Sequence, residues 1–450
     1  MASATTPRVA YICSQELAQT SSLIPSNRNR SGLVHTLVSA YGLLKPESGR
    51  CVVVRPRKAD RKELERYHER GYLDYVSKPY EELQDVDEDK WKTATGFGLE
   101  DDCPAFPGLD DYISLIAGAT LTAAQAVQSG RFDAAICWDG GRHHAHKAHA
   151  AGFCYVADCV LCILKLKRSI PGSSSGGRPR VMYLDLDLHH GDGVAEAFTS
   201  RPVDDDESKG AEELSDQGDI PSSTVLTLSI HHHAAGFYPH SALGSLTRTY
   251  TADPFALSIP LGRGTGAGSM KRVWKVVEGV AGAFFGWGKV SEMGEVEVMG
   301  EGEGKEEVGG PAYVVVQCGV DGLAGDPHAV WNWDVDVERE GTLGWCVERV
   351  MRWVRERDAV KAVFLGGGGY NHPNAARAWT YLTSIITGDP LSIHADIPDH
   401  AAFLQYAPSF TLDVPAGNMR DENTDQELGV IESTFEVLIR RIQRAQSQQK

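Results

Sequence analysis

The 450-residue chain is 42% hydrophobic and 23% charged, the balance of an ordinary water-soluble protein with a sizeable core. Its 61 acidic against 44 basic residues give a formal charge of −17, which argues against a broad basic face for gripping nucleic acid and makes a basic partner the easier expectation. Nine cysteines and no basic-then-apolar leader pattern read as thiols of a reducing compartment, and the longest charge-free stretch, Tyr112 to Gly130, is too polar for a membrane span.

In chain order, the basic cluster Arg55–Lys62 reads first as a solvated element of the fold and second as a nuclear signal. A helical pattern covers Asp111–Ser129. The apolar run Ala134–Trp138 leads into Asp139-Gly-Gly-Arg-His-His144, a helix is expected over Val156–Lys167, and Arg180–Leu184 leads into Asp185-Leu-Asp-Leu-His-His-Gly-Asp192. Thr224–Ile230 leads into His231, and a helix is expected over Met270–Phe285. Ala312–Gln317 leads into Cys-Gly-Val-Asp321, Val337–Glu356 carries a helical pattern, and Ala362–Leu365 leads into Gly366-Gly-Gly-Gly-Tyr370. Runs without alternation, rich in Val, Ile and Leu, suit strands buried on both faces. Strand–helix alternation predicts an α/β fold, a single doubly wound domain over 1–450 with a core of about 8–440. Its mostly parallel central sheet would be flanked by helices, with the site at the C-terminal ends of the strands. Stretches 171–178, 201–222 and 287–310 are rich in Gly, Ser or Glu and are expected as mobile loop insertions; within them, 203–219 and 289–307 carry −12 of the −17.

Chemistry concentrates after the strands. Asp185, Asp187 and His189 fall at i, i+2 and i+4, one face of an extended segment. Carboxylates and an imidazole buried together need a cation, and Asp187, His189 and Asp321 with open positions form a catalytic zinc arrangement. The pair His143 and His144 reads by itself first as two loop histidines; with Asp185 and Asp192 as separate orienting carboxylates it could also supply an acid and a base in one site. His231–His233 reads as loop or outer polar residues rather than ligands. Gly366–Gly369 lacks the lysine and spacing of a phosphate loop; its glycines instead let backbone approach a substrate and bring the Tyr370 hydroxyl to a developing oxyanion. Cys159-Val-Leu-Cys162 lies in an apolar helical run and reads as core packing.

Together, Asp101-Asp-Cys-Pro104, His143-His-Ala145, Gly152-Phe-Cys-Tyr155, Asp185–Gly193, Gly236-Phe-Tyr-Pro239, Asp321–Pro327, Gly366–Tyr370 and Ala378-Trp-Thr-Tyr-Leu-Thr383 resemble the class I zinc-dependent histone deacetylases of the arginase/deacetylase superfamily, most of all the type-8 branch. The resemblance runs from about Arg8 to about Arg440. It implies hydrolysis of N6-acetyl-lysine in histone tails and other proteins, in chromatin and transcriptional repression. The implied location is the nucleus and also the cytoplasm, with no direct nucleic-acid or membrane partner and a corepressor complex that the sequence does not require. Asp187, His189 and Asp321 would hold zinc, with iron(II) as the second choice. His143 and His144 would be the acid–base residues supported by Asp185 and Asp192, and Tyr370 would polarise the acetyl carbonyl. Gly152, Phe153, Tyr238, Gly368 and His328 would line the acyl-lysine tunnel and its rim, where Asp102 grips the substrate backbone. A structural potassium would use Asp185, Asp187, His189, Ser229 and Ile230.

The sequence departs from the class pattern at three places. Arg142 stands where an apolar residue is usual and joins Arg30, which resembles the family's internal arginine, as a second positive charge near the acetate exit. His328 replaces an apolar rim residue. Pro327 replaces an arginine that helps corepressor-bound members bind inositol phosphate, although Arg263 remains. Two other readings compete: an acetylpolyamine deacetylase, disfavoured by Asp102, and a non-catalytic reader of acetyl-lysine, disfavoured by the intact ligand set and Tyr370.

Overall fold

Alternate side chains of the apolar runs feed two separate cores in this computed structural model, which describes residues 6–45, 49, 51–84, 94, 96–169, 177–199, 222–246, 253–287, 289–290, 296–297 and 310–447. The strands are β1 (Val9–Ile12), β2 (Cys51–Val54), β3 (Ala134–Cys137), β4 (Arg180–Asp185), β5 (Val225–His232), β6 (Ala256–Leu261), β7 (Lys289–Val290), β8 (Val296–Glu297), β9 (Ala312–Gln317) and β10 (Val360–Leu365). Eight of them form one sheet in the order β2-β1-β3-β10-β9-β4-β5-β6, with every pairing parallel. The sheet is thus wholly rather than mostly parallel. Among the described residues the short β7–β8 pair is the one antiparallel strand pairing. That pair falls inside the predicted insertion 287–310, most of which, like most of 171–178 and 201–222, lies outside the described residues.

The helices that cover the sheet are α1 (Arg30–Ala40), α2 (Leu109–Gln128), α3 (Asp158–Leu166), α4 (Asp192–Phe198), α5 (Ala267–Phe285), α6 (Leu343–Glu356), α7 (His372–Ile386) and α8 (Asp425–Ser447). Met182, Leu184, Val314, Val316 and Phe364 point to one face, where α1, α5, α6, α7 and α8 pack. Val181, Tyr183, Tyr313, Val315 and Val363 point to the other, against α2 and α3. The period-2 alternation of a strand does this sorting, and both faces being covered makes the sheet doubly wound. Cys159 and Cys162 are buried in that second core as expected, and all nine cysteines are free thiols.

Local chemistry moved several predicted boundaries. The pattern from Val337 starts a helix only at Leu343, because Gly341 takes a φ of 85° and the Thr342 hydroxyl accepts the Trp345 N–H at 3.2 Å. α2 begins at Leu109, two residues early, with Asp110 and Asp111 in its first turn where the helix dipole favours them. β5 runs on through His231 and His232, so these histidines are strand residues and not loop residues. The basic cluster is tied into the fold: Arg57 meets Glu63 at 2.5 Å, Lys58 meets Asp111 at 2.6 Å and Arg61 meets Glu65 at 2.9 Å. The strands β3, β10, β9, β4 and β5 are neighbours, so the segments leaving their C-terminal ends converge although up to about 230 residues separate them.

Candidate active site

β4 ends at Asp185 and the chain then bends, which splits the expected one-face set. Asp185 turns to the histidine pair, while Asp187 and His189 meet Asp321 from the end of β9. Ligand atoms of Asp187, His189 and Asp321 all lie within 4.8 Å of one another, and this is the one such group among the described residues. His189 Nδ1 lies 2.9 Å from Asp321 Oδ2 and 3.4 Å from Asp187 Oδ1. Asp187 Oδ2 accepts from Gln317 Nε2 and from the Gly368 N–H, each at 2.8 Å, and Asp321 Oδ1 accepts from the Leu188 N–H at 3.0 Å. Phe237 stacks flat on His189, with centroids 5.1 Å apart and planes 8° apart. Burial and the Asp187 charge push the Asp321 carboxyl up, whereas His143 and His189 hold Asp187 down against burial. Two buried carboxylates and one imidazole nitrogen facing a common point fit a divalent cation that neutralises them.

The adjacent histidines come from the segment after β3, with ring centroids 3.9 Å apart. His143 Nδ1 lies 2.8 Å from Asp185 Oδ2, and His144 Nδ1 lies 2.7 Å from Asp192 Oδ1. Asp185 also accepts from the Tyr183 hydroxyl at 2.8 Å. Burial opposes a charge on His143, but Asp185 and Asp187 raise it to about 9. Burial and the neighbouring His143 lower His144 despite Asp192. The two rings are thus pushed in opposite directions, His143 toward holding a proton and His144 away from it.

Around them stand the remaining predicted residues. Gly152 packs against His144 and Tyr238 so closely that a Cβ would meet His144 Cδ2 at 2.4 Å and the Tyr238 hydroxyl at 2.7 Å. Tyr238 lies edge-on to His144 at 5.0 Å, and Phe153 lies edge-on to Tyr370 at 5.6 Å. His328 lies 4.6 Å from the Tyr370 ring and 6.3 Å from His189. Asp102 accepts the Gly152 N–H at 2.9 Å, which ties it to the same wall. A Cβ at Gly368 would meet Asp321 Oδ2 at 2.2 Å, so only glycine lets this loop pass the carboxylates. Ser229 pairs in register with Asp185 across β5 and β4, and Ile230 follows it. Ser229 Oγ faces His231 Nδ1 at 3.0 Å, and His231 is not among the grouped ligands.

Behind the glycine loop, Arg30 donates to the carbonyls of Gly367 at 3.0 Å and Gly369 at 2.9 Å. Arg142 lines the same internal cavity with Arg30, His35, Asp139, Trp138 and Trp379, as expected of a second positive charge. Burial and Arg142 lower Arg30 to about 10.

Three contributors escaped the sequence reading. Asp326 accepts the N–H groups of Tyr370 at 2.6 Å, Asn371 at 2.9 Å and His328 at 3.0 Å, which seats all three on one carboxylate. Gln317 and Phe237 fix Asp187 and His189. Asp326 and Phe237 stood inside quoted strings, but their partners are 44 and 48 residues away in sequence, beyond any local pattern.

The histone deacetylase domain model matches residues 24–285 and 305–386. Histone deacetylase 8 of Danio rerio is 35% identical over 433 residues, covering 96% of this chain and 94% of its own length. Histone deacetylase 8 of Xenopus tropicalis is 34% identical over 419 residues, 93% and 94% of the two chains, and that of Xenopus laevis 33% over 390 residues, 87% and 99%.

Proposed function

The chain belongs to the histone deacetylase family and is a lysine deacetylase, a hydrolase, and from that premise we propose that the residues gathered at the strand ends cleave the acetyl amide of N6-acetyl-lysine. The observation that carries this reading is the Asp187–His189–Asp321 group beside two histidines that each hold a carboxylate at Nδ1. Those three residues would hold zinc, or iron(II) as the second choice; when bound, the ion lowers the pKa of a water and polarises the carbonyl. His144, neutral, accepts the proton of the attacking water at Nε2. His143, charged, gives a proton from Nε2 to the departing lysine amine. Asp185 and Asp192 hold the two rings in the tautomers these transfers need.

Tyr370 donates its hydroxyl to the oxyanion, and Gly368 lets its loop close over the site. Gly152, Phe153 and Tyr238 enclose the apolar lysine stem, His328 shapes the rim, and Asp102 accepts backbone N–H groups of the substrate. A structural potassium is assigned to Asp185, Asp187, His189, Ser229 and Ile230. Acetylated histone tails are the substrate class favoured, since they are basic and this chain carries −17. We assign the protein to chromatin and transcriptional repression, to the nucleus first and the cytoplasm second. Among the described residues no helix is long and apolar enough to cross a membrane.

Two variants test the reading. Asp321→Asn should lose bound metal and turnover together while the fold persists, measured by metal analysis, circular dichroism and acetyl-peptide hydrolysis. Tyr370→Phe should keep metal and peptide affinity but lose about 10²–10³ in kcat. Unchanged kcat there removes Tyr370 from the mechanism.

A further inference from the structure

Asp192 and Glu196 stand one turn apart on α4, a like-charge i, i+4 pair that repels on a bare helix. The ring of His146 lies between them, Nδ1 2.6 Å from Glu196 Oε2 and Nε2 3.6 Å from Asp192 Oδ2. Nδ1 is at hydrogen-bond distance from one carboxylate and Nε2 at ion-pair distance from the other, a setting that favours the imidazolium form of the ring. Asp192 presents its other oxygen to His144 Nδ1 at 2.7 Å. Glu196, His146, Asp192 and His144 therefore form one chain of polar contacts from an exposed carboxylate to a ring of the active site.

We propose that His146 is a positioning residue for the acid–base pair: clamped as a cation between Asp192 and Glu196, it fixes the Asp192 carboxylate and through it the His144 ring, and turnover falls when His146 loses its proton. This rests on the acid–base role given to His144 above. The surroundings are stiff. The His146 N–H donates to the His149 carbonyl at 3.0 Å, the His149 ring stacks on His146 at 4.3 Å, and the Lys147 carbonyl accepts the Glu69 N–H at 3.0 Å.

The titratable groups around the ring are Asp192 and Glu196 on α4, His149 and Lys147 on its own loop, and Tyr67, His68 and Glu69 from the segment before Arg70. Burial works against the His146 proton, and the contacts with Asp192 and Glu196 raise its pKa to about 9. Burial drives Tyr67 up, and lowers His149 and, to about 4, His68. The histidine proton is thus the charge that this cluster gives up on the alkaline side of neutrality.

The test uses metal-loaded, full-length enzyme, an acetyl-lysine peptide and pH–rate profiles. His146→Gln, neutral with similar reach, should lower kcat about tenfold with peptide KM within about twofold. His146→Lys, a fixed cation, should recover kcat to within about threefold of the parent and hold activity to higher pH. Glu196→Gln should move the alkaline limb down by about one pH unit, because the ring loses one of the two groups that hold its proton. His143 also shapes that limb, so only its displacement between variants counts. A parental kcat in His146→Gln, or equal losses in the Gln and Lys variants, overturns the proposal. If His146→Gln melts below assay temperature, an unmoved limb in Glu196→Gln overturns it instead. His144→Ala separates the two readings: full turnover there defeats the acid–base role itself, whereas an inactive His144→Ala beside an unaffected His146→Gln defeats only the positioning role.

Discussion

Buried histidines fall into two regions that differ in one respect, the oxygen each ring faces. In the first, His143 meets Asp185 at 2.8 Å, His144 meets Asp192 at 2.7 Å and, behind the glycine loop, His35 meets Asp139 at 2.9 Å. In the second, His231 sits between the Ser229 hydroxyl at 3.0 Å and the Gly244 carbonyl at 2.9 Å, and His190 faces the Ser258 hydroxyl at 3.2 Å. Burial opposes a charge on all five. Where a carboxylate answers it, His143 rises to about 9 and His35 to about 10; where a neutral oxygen does, His231 falls well below its ordinary value and His190 falls to about 4. His144 is the instructive exception, lowered by burial and by the charge on His143 although it has its own carboxylate. Burial sets the default, a carboxylate reverses it, and a neighbouring cation restores it. Two adjacent rings are thereby shifted in opposite directions.

The strongest way to break the comparison is to remove a carboxylate from the first region. Asp185→Asn should lower kcat by about 10–100-fold, because His143 loses both its tautomer lock and the charge that holds its proton. The same substitution logic in the second region should leave chemistry alone. His231→Asn should keep kcat within about twofold but cost about 1–3 kcal/mol of stability, since the Ser229 hydroxyl and Gly244 carbonyl lose their buried partner. Paired turnover assays and denaturant titrations decide this, and a kcat loss in His231→Asn equal to that in Asp185→Asn would erase the distinction.

The pH dependence of stability sharpens it further. His190 binds no proton in the fold until about pH 4 but does so in the unfolded chain from its ordinary value, so its share of stability is present at neutral pH and lost as pH falls. His35 works in the opposite sense: its share is complete below the ordinary value and lost as pH rises through about 10. His190→Asn should therefore flatten the acid side of a stability–pH curve and His35→Asn the alkaline side, with slopes changing by up to about 1.4 kcal/mol per pH unit. The smallest effect is expected from a region that takes part in neither. Deleting Asp204–Gly218 and Met293–Glu307 should leave short-peptide turnover within a few-fold while weakening the salt-sensitive attraction of histone tails.

Much of this was legible in the sequence because the strand runs end in chemistry: Ala134, Arg180, Ala312 and their successors announce both the sheet and the residues it delivers. Strands β1, β2 and β6 were not, because no functional string follows them. Asp187, His189 and Asp321 were readable as a group that could hold a metal, and Asp185 as a partner of the histidine pair; the period-2 argument alone would have kept Asp185 on their face, and the bend after β4 turns it to His143. Spacing along a strand holds only while the segment stays extended. Asp326, Gln317 and the His146–Glu196 contact were invisible for a different reason: each acts on a partner 44 to 130 residues away, and one sequence carries no trace of such a pairing.

The sheet order has a consequence for how the chain is made. Strands β9 and β10 lie between β3 and β4, so the strands of the first 300 residues fall into two halves, β2-β1-β3 and β4-β5-β6, with no ladder joining them. Each half exposes an apolar edge, β3 in one and β4 in the other, of the kind that recruits foreign strands. Closure waits for the two late strands, which bring Asp321 and Tyr370 with them. A chain that ends before β9 should therefore lack part of the proposed site as well as leave strand edges open.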